Sequence, residues 1–527
     1  MKKIVKKIVS VILGVVVTVP CFAATSCGQN IDPSALVIEY YKAGYGDTWI
    51  KNLAAKYEET YGQEVVLLPR EGKQGLTKMA GNLRSGTAET DLFFAGDPAF
   101  GDIYRGTISA GGQTYDSWFA DLTDLYTSTI DGEGITVEDK MLDYFQEYFK
   151  MDTDDGQYYD GKYHFFPYVT GMFGIVANRT VWDEYLPGED YPRTTDELIE
   201  LCDGIKARIA PFLYSVSEEY WTAALPLFMH QYEGGERMNN FYNGFGPYSD
   251  IRYDDNMVAY DGYKYALEFF EDLLTPANGY MHPNCASYNF TQMQGLFLAG
   301  RSLFCVNGDW LENEMKVNYP NANIEMMKTP VLSAVANKCS FAGEANKDEI
   351  LRNVIDYVDG KMQAMPAGCT AADVEIVREA RSVEYMTGNS NTAYIASYSN
   401  QIPAAKNFLR MMASDEGMKI FRNGTNGSEM PFNYTNEANK PAANDPTVSS
   451  FRKSINNILS SCEARFISKK DRIYSIGGIN VQLYNNSYGR FVDVFKDGRA
   501  TAQQYFDAEV NAVNNLLPSA KQQANIM

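Results

Sequence analysis

Between Leu36 and Leu68 the hydrophobic period of the chain changes twice. Leu36 to Tyr41 is a short apolar run of strand length. Trp49, Ile50, Leu53, Ala54 and Tyr57 then recur at the spacing of one helix face, and Glu64 to Leu68 returns to a strand pattern. A strand, a helix and a second strand in this order predict a βαβ unit and hence a parallel sheet. Another strand is expected over Thr90 to Phe94, opening into the loop Ala95-Gly96-Asp97.

Further on, YHFFPYVTGMFGIVANRTVWDEY reads as a pair of strands leading into a short helix. Thr194 and Glu197 have the spacing of a capping box, with Leu198, Ile199, Cys202 and Ile205 as the buried stripe of the helix that follows. Residues 289–314 read as helix, turn, strand, loop and helix. Residues 401–421 form an amphipathic helix carrying Ala404, Ala405, Phe408, Leu409 and Met412 on one side, and 500–517 are helical too. The stretch from about Ser333 to Ser390 fits the alternation less well and reads as an inserted helical element. The polar tail from Pro518 is expected to fray. No internal repeat or low-complexity tract is present.

Composition narrows the class. With 527 residues, 45% hydrophobic and 21% charged, the chain is an ordinary folded protein long enough for two or more lobes. Its net charge of −21 repels phosphate backbones and argues against nucleic acid as a partner. The N-terminus sharpens the picture. Lys2, Lys3, Lys6 and Lys7 precede an apolar run from Ile8 to Val19, followed by CFAATSCGQN, the pattern of a secretory leader. The run is short for a membrane span, and no later segment is long and apolar enough to be one. Ala24-Thr25-Ser26-Cys27-Gly28 resembles a bacterial lipobox, with Ala24 where Leu is usual. That resemblance implies lipidation at Cys27; simple cleavage near Ala23 is the alternative. The remaining cysteines, Cys202, Cys285, Cys305, Cys339, Cys369 and Cys462, form no CxxC pair, and Cys339 with Cys369 is one conceivable disulfide. His164, His230 and His282 are too scattered for a histidine zinc site. Asp152 to Gly156 lacks the spacing of a calcium loop and reads as a solvated turn. No metal or cofactor is expected.

Several segments, taken in order, resemble the family 1 extracellular solute-binding proteins of carbohydrate ABC transporters, the maltose-binding-protein-like lipoproteins. VIEYYKAGYGDTWIKNL looks like the family's opening strand and ligand-facing loop. TDLFFAGDPAFGDIY is similar to its next strand and polar loop, and GKYHFFPYVTGMFGIVANRTVW to its crossover between lobes. PRTTDELIELCDGIKA resembles the family's helix start, with Thr195 in the place of its Trp. The fullest match is MQGLFLAGRSLFCVNGDWLENEM, an apolar helix, Gly300-Arg301, a strand, then Gly308-Asp309-Trp310. SNQIPAAKNFLRMMASDEGMKIF looks like a later family helix.

The resemblance implies an α/β, two-lobed periplasmic-binding-protein-like fold of type II. Each lobe would be a mainly parallel sheet flanked by helices, with a hinge between. It implies a leader over 1–26, a tether over 27–35, lobe 1 over 36–167 and 391–445, and lobe 2 over 168–330. Residues 331–390 would carry a hinge crossing and the inserted helical element. Residues 446–517 would form a C-terminal helical part on lobe 2, and 518–527 the tail. It implies a monomeric, membrane-anchored cell-surface receptor that is not an enzyme, with an oligosaccharide ligand and permease subunits as partners. The ligand residues it implies are Trp310, Tyr220, Trp221, Glu218, Asp97, Lys42, Tyr45 and Asp47. The C-terminal aromatics Tyr484 and Tyr488 match its spacing poorly.

These residue types suit a saccharide. A pyranose has one apolar C–H face, which an aromatic ring covers, and a rim of hydroxyls that carboxylates and lysines bond. The chain holds 37 Tyr, 28 Phe and 5 Trp, and aromatic residues recur beside polar ones at Tyr220-Trp221, Tyr242-Asn243 and Trp310. Each residue also has a plainer reading. Asp97 suits a strand-end turn, Lys42 and Asp47 a solvated loop, and most of the tyrosines the framework. Trp49 and Trp118 read as packing residues. A glycan-cleaving enzyme needs two carboxylates flanking one bond, which acidic composition alone does not rule out. A peptide or polyamine binder is the other alternative.

Overall fold

The first apolar run forms the strand Leu36–Tyr41, the periodic stretch the helix Thr48–Tyr61, and the second run the strand Val65–Arg70. The two strands pair in parallel, Leu36 beside Val65 through Tyr41 beside Arg70. The five apolar helix residues named from the sequence are its buried ones. The computed structural model describes residues 31–526, apart from 43, 87–89, 96–106, 151–160, 217–219, 388–390, 443–444, 447, 467–471 and 476.

Lobe 1 is built on a sheet in the order Val65–Arg70, Leu36–Tyr41, Leu92–Ala95, Thr392–Ile395, Phe166–Pro167. The first three strands are parallel, and Thr392–Ile395 runs antiparallel between its neighbours. The core of this lobe joins residues 36–169 to 393–432. Trp49 sits inside it, stacked on Tyr168 at 5.3 Å and edge-on to Phe94 and Phe421.

Lobe 2 has the order Glu463–Phe466, Val383–Met386, Phe173–Asn178, Ser302–Gly308, Ala210–Leu213, with Ile324–Met327 also on Phe173–Asn178. Its core draws on residues 172–380 and 451–524. This sheet is mixed rather than mainly parallel. Phe173–Asn178 is antiparallel to Ser302–Gly308, to Ile324–Met327 and to Val383–Met386. The reason is the route of the chain. Phe173–Asn178 enters the second lobe straight from the crossover at 168–172, so it runs away from the hinge, against the strands that run toward it.

Among the described residues, the core that the chain joins changes from lobe 1 to lobe 2 between Val169 and Met172, back between Ala380 and Ala393, and again between Phe432 and Phe451. Within 331–390 the helices Lys347–Val358 and Ala371–Ser382 turn their apolar faces into the lobe 2 core, and the strand Val383–Met386 that follows belongs to the lobe 2 sheet. Thr194 caps Thr195–Ile205 by accepting from Glu197 N at 3.2 Å. Only half of the expected box forms, because the Glu197 carboxylate takes Arg193 N at 2.7 Å and the Arg193 guanidinium. The expected frayed tail is instead helix. Ala502–Gln523 continues through Pro518, because Leu517, Ala520 and Ala524 are buried on lobe 2. That burial offsets the single backbone hydrogen bond the proline removes. Cys339 and Cys369 are both free, their thiols directed at the carbonyls of Val335 and Pro366.

Candidate functional site

The strand Ser302–Gly308 is buried along its whole length and delivers Gly308-Asp309-Trp310 to the junction of the lobes, where the helix Leu311–Met315 begins. Two glycines admit the Trp310 side chain. A Cβ on Gly308 would lie 2.2 Å from indole Cζ3, and one on Gly44 would lie 2.3 Å from Trp310 Cβ. Gly308 belongs to lobe 2 and Gly44 to the loop after the first strand of lobe 1. The half-buried indole therefore stands in the seam between the lobes.

Asp309 and Tyr45 join the lobes beside it. The Tyr45 hydroxyl donates to Asp309 Oδ1 at 2.7 Å. Arg452, from the helix Ser450–Leu459, donates to Asp309 Oδ2 at 2.8 Å and to the Asp309 carbonyl at 2.9 Å. All three side chains are buried. Burial, with the Asp309 carboxylate next to it, holds the Tyr45 hydroxyl well above the usual phenol range, so it stays a donor. Burial works against the Arg452 charge, and Asp309 more than restores it. Asp309 N also donates to Met172 O in the crossover at 2.9 Å, and Thr170 N to Glu429 O at 2.9 Å. On the far side Asn313 Nδ2 reaches Thr425 O at 2.9 Å and Lys316 Nζ reaches Asn426 Oδ1 at 2.6 Å. Burial pushes the Glu429 carboxyl up to about 7, although Arg422 donates to it at 2.8 Å.

Lobe 2 lines its side of this seam with rings. Phe173, the first residue after the crossover, has Trp310 at 6.4 Å, Tyr220 at 5.4 Å and Tyr385 at 5.9 Å between ring centroids. Phe173 is buried, while Trp310, Tyr220 and Tyr385 are half-buried around it.

The other expected site residues are placed as follows. Trp221 is a correction. It is 1% exposed and enclosed by Phe212, Tyr214 and Phe270, so no face of its ring is open to a ligand. Tyr220 and Trp221 are consecutive on the helix Tyr220–Glu233, and successive helical side chains diverge, so one faces the seam while the other enters the core. Tyr45 is buried and its hydroxyl is engaged by Asp309, making it a contact between lobes rather than an open ligand donor. Lys42 and Asp47 remain near the same loop, 3.6 Å apart in a surface ion cluster with Glu71 and Lys51. The hydrogen bond from Lys51 is the largest influence on the Asp47 carboxyl and, against burial, holds it below its ordinary value. Asp97, Glu218, Cys27 and the turn at 152–156 lie outside the described residues. Sequence reasoning missed Phe173, Tyr385, Asp309 and Arg452. The Gly-Asp-Trp step pointed to Asp309 only as a spacer, and nothing local marks Arg452 as its partner.

A family model described as bacterial extracellular solute-binding protein matches residues 42–419. Among solved structures, the solute-binding protein RafE in complex with raffinose is similar over 92% of this chain and 100% of its own, at 14% identity and a TM-score of 0.56. The apo form of RafE from Streptococcus pneumoniae is similar over 93% and 100%, at 14% identity and a TM-score of 0.54. A protein solved in work on xylan utilization by the thermophilic bacterium Caldanaerobius polysaccharolyticus is similar over 90% and 99%, at 15% identity and a TM-score of 0.58. Identities this low make the likeness one of fold. No curated protein sequence matches the chain.

Proposed function

We propose, from the premise that the chain belongs to the bacterial extracellular solute-binding proteins, that it captures an oligosaccharide between its lobes and hands it to an ABC permease in the membrane. The observation that carries this reading is the half-buried Trp310 in the seam beside Phe173, on which the half-buried rings of Tyr220 and Tyr385 also pack. Flat rings exclude water from the apolar face of a pyranose and fix its orientation. Hydroxyls are already bonded by water, so each protein hydrogen bond to the rim contributes only about 0.5–1.5 kcal/mol. Stacking therefore supplies affinity, and the polar rim supplies selectivity. Lys42 and Asp47 at the lobe 1 edge, with Asp97 and Glu218, are the polar groups proposed to serve it. The raffinose bound by RafE and the xylan setting of the second relative favour a saccharide of more than one ring.

Capture requires only that ligand prefer the closed arrangement of lobes; no bond is made or broken. Cys27 is proposed to carry the lipid that keeps this single-copy receptor at the cell surface, and Cys27→Ala is expected to release the protein from the membrane fraction. Titration calorimetry against mono- and oligosaccharides, peptides and polyamines tests the ligand class. Saturable binding of an oligosaccharide is expected. Binding of peptides or polyamines alone, or hydrolysis of the oligosaccharide during incubation, would overturn the reading.

A further inference from the structure

We propose that the Tyr45–Asp309 hydrogen bond is a latch between the lobes, and that Tyr45, Asp309 and Arg452 are positioning residues that tie Trp310 to lobe closure. This rests on the reading that the seam at Trp310 is the ligand site, and it adds how that site is held shut.

Three features of the geometry carry it. First, the latch spans two independently built cores. Tyr45 belongs to the core of lobe 1, whereas Trp310 packs on the core of lobe 2, as does the helix that carries Arg452. Second, its members are buried, so the bond is made out of competition with water. A hydroxyl donating to a carboxylate is then worth more than at a surface. Third, it adjoins the indole on both sides of the seam. Asp309 directly precedes Trp310, and Tyr45 directly follows Gly44, the residue that lies against the Trp310 Cβ.

The division of labour follows. Arg452 holds the Asp309 side chain and carbonyl together, so the carboxylate presents its other oxygen outward from lobe 2. Tyr45 meets that oxygen only when lobe 1 is swung in. A ligand stacked on Trp310 favours the swung-in arrangement, and the latch favours it too, so each strengthens the other. Gly44 is the clearance of this joint: any side chain there would hold the lobes apart.

The test uses the full chain. Tyr45→Phe removes one hydroxyl and leaves Asp309 paired with Arg452, so both lobes are expected to keep their thermal unfolding. Gly44→Ala inserts a methyl into the joint. Small-angle scattering without ligand should give a larger radius of gyration for both variants than for the parent chain. Stopped-flow tryptophan fluorescence should give sugar release faster by about ten-fold for Tyr45→Phe, the scale of one hydrogen bond to a charged group. An unchanged radius of gyration together with unchanged release in Tyr45→Phe would overturn the latch. If the ligand-free dimensions shift as expected but the parent chain binds no saccharide, the latch stands and the carbohydrate reading falls.

Discussion

Trp310 and Trp221 are the same residue type with opposite fates, and the difference is measurable. Trp310 is half-buried in the seam, whereas Trp221 is 1% exposed within lobe 2. Trp310→Ala should weaken saccharide binding by about 1–3 kcal/mol, the worth of one large apolar contact. Trp221→Ala should instead destabilise lobe 2 by about 3–5 kcal/mol through the cavity it leaves. Calorimetric affinity and denaturant unfolding of the two variants separate these effects. An unchanged affinity in Trp310→Ala would make that indole framework only. Trp221 also shows a limit of pattern reading. A Tyr-Trp pair on a helix looks like one aromatic patch in the sequence, but consecutive helical side chains diverge by about 100°, and here one ring reaches the seam while the other enters the core.

At the scale of elements, two packings make sharp demands. The helix Asp415–Gly424 ends against the helix Thr48–Tyr61, and a Cβ on Gly424 would lie 2.5 Å from Trp49 Cα. Since backbone rather than a flexible side chain is in the way, Gly424→Ala should force the helices apart and cost about 1–3 kcal/mol of lobe 1 stability, read by chemical denaturation. The second concerns the C-terminal helix Ala502–Gln523. Its fully buried Glu509 accepts from Tyr484 N at 2.7 Å, and burial pushes the carboxyl up to about 8. Tyr484 has φ 65, a backbone region that costs a non-glycine residue energy and that this contact helps to hold. The folded value lies above the ordinary 4.5, so the folded protein binds the extra proton. Stability from this group is complete below about 4.5 and is lost as pH rises to about 8, at no more than about 1.4 kcal/mol per pH unit. Glu509→Gln should make the fall of melting temperature between pH 5 and about 8 shallower than in the parent chain, Glu429 still contributing its part, and should melt higher than the parent chain above it. A parallel pH profile for the two proteins would refute this assignment.

For the whole molecule, two cores joined by three chain passages make hinge motion the natural response to a ligand. Saccharide at saturation should lower the radius of gyration of the full-length Tyr45→Phe chain, whose lobes the Tyr45 hydroxyl no longer latches, in small-angle scattering. At a hundred times Kd it should also add about 2.7 kcal/mol to the stability of the closed form. Identical scattering with and without ligand would remove closure from the mechanism. The net charge of −21 sets a further contrast. A neutral sugar should bind with nearly the same affinity at low and high salt, whereas a polyamine attracted by that charge should weaken steeply as screening grows.

The sequence by itself determined what local periodicity and order along the chain can specify. The opening βαβ unit, the buried faces of the helices Thr48–Tyr61 and Ile402–Met412, and the strand ending in Gly308-Asp309-Trp310 were all readable. Each depends on neighbours a few residues away, and hydrophobic burial enforces it at every position. Tertiary structure alone decided the rest. The antiparallel entry of Phe173–Asn178, the gathering of Tyr220 and Tyr385 around Phe173, and the meeting of Tyr45 with Asp309 and Arg452 join residues up to hundreds of positions apart. No spacing rule records such pairs. The buried charge at Asp309 is stable only because a hydroxyl from one lobe and a guanidinium from another chain passage arrive together, and that coincidence exists only in three dimensions.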